Sequence, residues 1–233
     1  MKLNILLCDT FPGLLPSNIE SYPSMFYHLF DSVRHDMIYQ IYNIQEGEIP
    51  EEIHSDELYL ITGSRAGAYD ETKWVKDLLS FIRKAHACQA NLIGICFGHQ
   101  AIAQALGGRV EKSDKGWGTG IRSSKIVLPE ALKYFPEGIM NLDYNHNDQV
   151  VVLPKEATLF ASSDFCPIDG FIVGEHILSF QGHPEYFMDY NRYLILNHAE
   201  DEPQEIKDAA LKSIDELKAM GKEAAYWMTD LIY

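Results

Sequence analysis

The chain has 233 residues, 46% of them hydrophobic, and a formal charge of −15. That length and apolar content can bury one substantial core, while the acidity argues against nucleic acid as a direct ligand, because neutralising phosphates needs clustered Lys and Arg. No window is long and apolar enough to span a bilayer, and the negative charge is read as a solubility feature.

From the N-terminus, Lys2–Asp9 predicts a first strand and not a secretory signal, having neither the length nor a cleavage region. Ile19–Val33 predicts a helix despite Pro23, Met37–Ile44 a second strand by its alternation, and Glu57–Thr62 a third. Trp74–Ala87 is amphipathic at helical spacing. Asn91–Ile95 and Phe97–Leu106 follow as strand and helix, closed by Gly107-Gly108. Strands alternating with helices indicate βαβ units, hence a doubly wound, mostly parallel sheet flanked by helices, with its site at the carboxyl ends of the strands. Arg109–Val110, Ile121–Leu128, Gln149–Leu153, Thr158–Ser162 and Gly170–Val173 are shorter and predict a small antiparallel extension. Residues 1–198 are expected to form this α/β domain. Glu200-Asp201-Glu202-Pro203 then breaks into a helical extension, 199–233, with helices at Gln204–Leu217 and Glu223–Leu231 parted by Met220-Gly221. Its Tyr226, Trp227, Leu231 and Tyr233 are expected to pack on the same domain. Cys8, Cys88, Cys96 and Cys166 show neither metal spacing nor a dense disulfide framework, so a reduced, cytoplasmic protein is expected, with Cys8, Cys88 and Cys166 as packing residues.

Cys96 differs from the other three. Gly94-Ile95-Cys96-Phe97-Gly98-His99-Gln100 places it between the apolar strand and the Ala/Gln-rich helix, with a glycine two residues away on each side. This is a nucleophile-elbow pattern, G-x-C-x-G. The glycines let the chain turn sharply, and the helix N-terminus favours thiolate over thiol. A thiol nucleophile needs an imidazole to take and return its proton, and the imidazole needs an acceptor to fix its tautomer. Gln181-Gly182-His183-Pro184-Glu185 supplies both at the end of an apolar strand: His183 and Glu185, two apart on an extended segment, face the same side, and Pro184 stiffens the pair.

The GICFGHQ and QGHPE segments together resemble the signature of class I glutamine amidotransferases, whose glutaminase domains have a flavodoxin-like doubly wound fold. The resemblance implies Cys96 as nucleophile, His183 as base and Glu185 as orienting acid. It also implies the backbone N–H groups of Phe97 and of Gly63, on the Leu58–Ser64 strand and loop, as oxyanion donors, with Gln100 helping to hold substrate. Ser64, Trp117 in the Gly116–Arg122 segment, and His146 in Asn145–Val150 are further candidates for the substrate site. For Trp117 a half-buried aromatic on the sheet edge, and for His146 a polar turn between strands, are the alternatives. Arg65 and Asp70 are candidates for the substrate's charged α-groups or for solvated loop charges. His99, inside the helix, reads as structural. The loop Gly63-Ser64-Arg65-Ala66-Gly67-Ala68-Tyr69-Asp70 lacks the Gly-Gly-Pro run of synthase-type members and looks more like the stand-alone, GMP synthase-like branch that includes γ-glutamyl peptidases. By this resemblance the chemistry is cleavage of a γ-glutamyl amide bond, in glutamine or in a γ-glutamyl compound, through a Cys96 thioester, without metal or organic cofactor. A synthase partner chain accepting ammonia, a self-sufficient γ-glutamyl hydrolase and a non-catalytic binding module remain as alternatives. Cysteine-bearing α/β-hydrolases share G-x-C-x-G but place the acid before the histidine, whereas Glu185 follows His183.

Overall fold

A computed structural model describes residues 1–11, 13–198 and 202–231, with side chains apart from those of Met188 and Asp189. Glu200, Asp201 and Tyr233, named above, lie outside the described residues. Five parallel strands form the heart of the sheet: β1 (Lys2–Leu7), β2 (Ile38–Asn43), β3 (Leu58–Ile61), β4 (Asn91–Ile95) and β11 (Ile177–Phe180) lie in the order β2-β1-β3-β4-β11. Beyond β11 the sheet turns antiparallel through β10 (Gly170–Val173), β9 (Ala157–Ser162), β6 (Gly118–Ile126) and β7 (Ile139–His146). A separate two-stranded ribbon pairs β5 (Arg109–Lys112) with β8 (Asp148–Val152). The doubly wound, mostly parallel sheet with an antiparallel extension is therefore what this sequence builds.

The central strands are apolar on both faces because helices cover both. Leu3, Ile5 and Leu7 of β1 meet Phe26 and Phe30 of α1 (Tyr22–Asp31) on one face. Leu6, on the opposite face, joins Leu78 and Ile82 of α2 (Lys73–Ala87) and Ile102 of α3 (Phe97–Ala105). Helix α1 starts later than its periodicity suggested. Ser21 and Ser24 form a capping box, and Pro23 sits in the first turn, where a missing N–H costs nothing.

Two elements were absent from the sequence reading, β7 and α4 (Met188–His198). Strand β6 begins three residues early, at Gly118, and runs through Gly120 at φ +80°. A β-carbon at Gly120 would lie 2.5 Å from Ser213 Oγ and 2.8 Å from Ala210 Cα, so glycine is what lets α5 (Gln204–Glu216) lie on the strand. In α6 (Gly221–Asp230), Trp227 packs among Phe135, Phe160 and Phe180. Tyr226 instead faces solvent. Cys88 is likewise not a packing residue: it caps the C-terminus of α2 and is exposed, whereas Cys8 and Cys166 are buried. No helix among the described residues is long and apolar enough to cross a membrane.

Candidate active site

The carboxyl ends of β1, β3, β4 and β11 converge on one cavity of about 800 Å³, the crevice where open α/β sheets take their ligands. Cys96 stands at its floor, between β4 and α3. Its backbone is held at φ +51°, ψ −103°, strained for a side chain, and its N–H donates to the Phe180 carbonyl of β11 at 2.9 Å. Two glycines make room for that turn. A β-carbon on Gly94 would lie 2.7 Å from the Gly98 backbone, and one on Gly98 would lie 2.2 Å from the Ile61 carbonyl oxygen of β3. The elbow exists because both flanking positions carry no side chain.

His183 and Glu185 follow β11; His183 lines the cavity and Glu185 is buried beside it. The imidazole Nδ1–H donates to Glu185 Oε1 at 2.7 Å, which leaves Nε2 for the sulfur. Both residues are buried, and the Tyr186 ring stacks on the imidazole with centroids 4.0 Å apart. Burial works against a charged imidazole, but the Glu185 carboxylate and the nearby Cys96 sulfur outweigh it and raise the His183 pKa to about 10. The His183 N–H donates to the Asp143 carbonyl at 2.7 Å, pinning the segment to β7. Asp143 is itself buried beside the pair. Its carboxylate accepts from Asn191 of α4 at 2.6 Å, and burial raises its pKa to about 7.

The other predicted residues divide into those that line the cavity and those that shape it. Ser64, Gln100, Trp117 and His146 all line it, with Trp117 half-exposed at the wall. The side-chain amide of Gln100 donates to the Asp148 carbonyl at 2.8 Å and to Gln181 Oε1 at 3.1 Å. His146 Nδ1 bonds the Asp148 carbonyl at 3.1 Å, and burial lowers its pKa to about 3, so it is a neutral imidazole with its proton on Nδ1. His99 turns from the cavity to Ser179 Oγ at 3.0 Å and is held neutral by burial, with a pKa of about 3. Arg65 and Asp70 are already engaged within the protein. Arg65 forks onto Asp9 with two contacts of 2.9 Å, and Asp70 accepts the Gly67 N–H at 3.0 Å. Burial favours neutral Asp9, yet the guanidinium fork and two backbone N–H donors hold it below the usual carboxylate range.

The loop amide of Gly63 is also engaged: its N–H donates to the Tyr22 hydroxyl at 3.3 Å. At the other side of the sulfur, Phe97 opens α3, so its N–H is among those a helix start leaves without an intrahelical partner. Among the described residues no group of three or more His, Cys, Asp or Glu stands in a metal-holding arrangement. Sequence reasoning missed Tyr22, Asp143, Asn191 and Tyr186. Of these only Tyr186, one residue past Glu185, had a local signal.

The family model for Glutamine amidotransferase class-I matches residues 18–199. The chain is 33% identical over 156 residues to γ-glutamyl peptidase 3 of Arabidopsis thaliana, a match covering 64% of this chain and 63% of that relative. It is 31% identical over 184 residues to the glutamine amidotransferase-like protein chry6 of Gibberella zeae, covering 75% of this chain and 73% of that one. Among solved structures, a glutamine amidotransferase from Thermotoga maritima aligns over 99% of this chain and 97% of its own, with a TM-score of 0.78 at 19% identity. At that identity the likeness shows the fold.

Proposed function

Given that the chain belongs to the class I glutamine amidotransferase family, we propose that it is a thiol hydrolase of γ-glutamyl amide bonds with Cys96, His183 and Glu185 as its catalytic triad. The observation that carries this is the convergence of a cysteine on a strained strand–helix elbow with a buried imidazole that a carboxylate holds at 2.7 Å. The Cys96 thiolate attacks the γ-carbonyl carbon, and negative charge moves to the carbonyl oxygen. The Phe97 N–H is one donor to that oxyanion. The second donor comes from the loop that carries Gly63 and Ser64, where the Gly63 N–H is held by the Tyr22 hydroxyl. The C–N bond then breaks with transfer of the His183 Nε2 proton to the leaving nitrogen, giving an acyl-thioester. His183 next takes a proton from water, which attacks the thioester and releases glutamate and the thiolate. Proton transfer of this kind is worth about 10²–10⁴-fold, and each oxyanion donor about 10²–10³-fold.

The substrate class favoured is a γ-glutamyl peptide or related small amide. Several similar relatives are γ-glutamyl peptidases, 33–34% identical to this chain, and a cavity of about 800 Å³ with Trp117 and Tyr69 on its wall has room beyond a bound glutamine side chain. Gln100, Ser64, Trp117 and His146 are proposed to contact it.

Glutamate release by the purified protein, from glutathione and separately from glutamine, tests the reading. Cys96-dependent release from glutathione is expected, and Cys96→Ala should lower it at least about 10⁴-fold. Release from glutamine alone would point instead to an amidotransferase subunit supplying ammonia to a synthase. A Cys96→Ala protein with the wild-type rate would overturn the assignment.

A further inference from the structure

Tyr22 opens α1 far from the two signature segments, yet it touches both halves of the site. Its side chain is buried, with the ring edge-on to Phe11 at 4.8 Å and near Phe26 at 5.3 Å. The hydroxyl donates to Glu185 Oε1 at 2.8 Å, the same oxygen that accepts His183 Nδ1–H. A carboxylate only accepts, so the phenolic proton is committed to Glu185 and the oxygen's lone pairs are left to take the Gly63 N–H at 3.3 Å. Glu185 Oε2 is buried without a partner, so the carboxylate's side-chain donors among the described residues are His183 and Tyr22. Gly63 is where the three groups meet: a β-carbon there would lie 3.0 Å from His183 Cε1, 3.1 Å from the Tyr22 oxygen and 3.8 Å from Cys96 Cβ.

We propose that Tyr22 is a positioning residue whose hydroxyl ties the Glu185 carboxylate to the Gly63 loop, so that one bridge sets both the imidazole's acceptor and the oxyanion loop. This rests on the hydrolase reading above. Gly63 N–H, Tyr22 O–H and Glu185 form a directional chain, so one hydroxyl fixes both the loop amide and the carboxylate. Burial pushes the Tyr22 phenol well above its usual range, so the bridging proton stays in place wherever the enzyme works. The groups that face Glu185 are His183 and Tyr186 on its own segment, Tyr22 from α1, Asp143 from β7 and Tyr190 from α4, with Cys96 beyond the imidazole.

Tyr22→Phe keeps the ring packing and removes only the bridge. For the γ-glutamyl substrate that the wild type turns over, kcat is expected to fall at least about tenfold with KM changed less than about threefold, as for misplacement of groups that act in the transition state. In parallel, alkylation of Cys96 by iodoacetamide is followed against pH, a reaction that reads the site's ionisation without any substrate. The acid limb of that profile is expected to differ from the wild type's by about half a unit or more, because the carboxylate that orients the imidazole beside the sulfur has lost one of its two side-chain donors. An unshifted profile overturns the proposal, even with a lower kcat, since general loosening of α1 would give that result. A shifted profile in a protein inert toward every γ-glutamyl amide would overturn the hydrolase reading and keep the bridge.

Discussion

The cysteine half and the histidine half of the site are built by different means. Cys96 is held by its own neighbourhood: a strand, a turn, a helix and two glycines within four residues of one another, with Gly98 against the Ile61 carbonyl. His183 and Glu185 are held by residues scattered along the chain. The Asp143 carbonyl of β7 takes the His183 N–H, Tyr22 of α1 donates to Glu185, and Gly221 of α6 abuts the carbonyl between them. The first half is a local motif whose geometry follows from the elbow itself. The second is an assembly, and its precision depends on the antiparallel extension and the C-terminal helices being docked.

That contrast predicts different failures. Gly98→Ala would set a β-carbon 2.2 Å from the Ile61 oxygen and 2.9 Å from Ile61 Cβ, between the central strand β3 and helix α3, where neither can retreat. Overpacking at such a site costs about 1–3 kcal/mol or more, so the largest expected effect is a clear drop in denaturation midpoint, with activity lost along with the elbow. Urea unfolding followed by circular dichroism measures it, and an unchanged midpoint would mean the elbow is less constrained than its contacts indicate. Gly221→Ala is a milder insult to stability. Its β-carbon would lie 2.1 Å from the Pro184 oxygen, but Gly221 is the first residue of α6 and meets the loop after β11, not a central strand. Pro184 sits between His183 and Glu185, so the strain should reach the pair: kcat is expected to fall about tenfold with a small change in midpoint. Equal losses of stability and activity in both variants would erase the distinction between the halves.

The same contrast governs what could be read from the sequence. The strand–elbow–helix around Cys96 was legible because the strand, helix and two glycines that shape it lie within a few residues of it, and β4 was bounded correctly at Asn91–Ile95. Four of the parallel strands were legible for a related reason, since being covered on both faces leaves an apolar run, while the edge strand β2 showed by its alternation. Strand β7 was not legible, although Met140, Leu142 and Tyr144 alternate with Asn141, Asp143 and Asn145, because Asn and Asp read as turn residues, and Asp143 is a buried carboxylate beside the histidine rather than a solvent-facing residue. Helix α4 hid for the same reason, with Asn191 turned inward to Asp143. The start of β6 was lost because Gly118 and Gly120 look like loop residues until Phe165 lies against the first and α5 against the second. Of the family glycine loop, the sequence pointed to Gly63, but nothing local could show that a tyrosine from α1 would take its N–H. Residues that serve the site from a distance break the local pattern, which is why they were missed.

Asp143 offers the smallest and most specific test of the assembled half. Burial raises its pKa from 3.8 to about 7, against the opposing donor from Asn191 and the charge of His183. A carboxyl with a raised folded-state pKa gives stability that is full below its unfolded value and lost as pH rises through the folded one. The contribution should therefore fade between about pH 4 and pH 7. His183 has the same sign in a later window: with a folded pKa of about 10 against 6.5, its contribution is complete below about pH 6.5 and fades as pH rises toward 10. Asp143→Asn keeps an oxygen for the Asn191 amide while removing the charge. It should abolish the first window and leave the second, so that the variant gains melting temperature over the wild type progressively from pH 4 to pH 7 and holds a constant gain above it. Melting curves from pH 4 to pH 9 measure this. A gain already complete at pH 4, or none at pH 8, would mean that Asp143 is not the buried carboxyl the histidine half is built around, and that this half owes its alignment to Tyr22 and Gly221 alone.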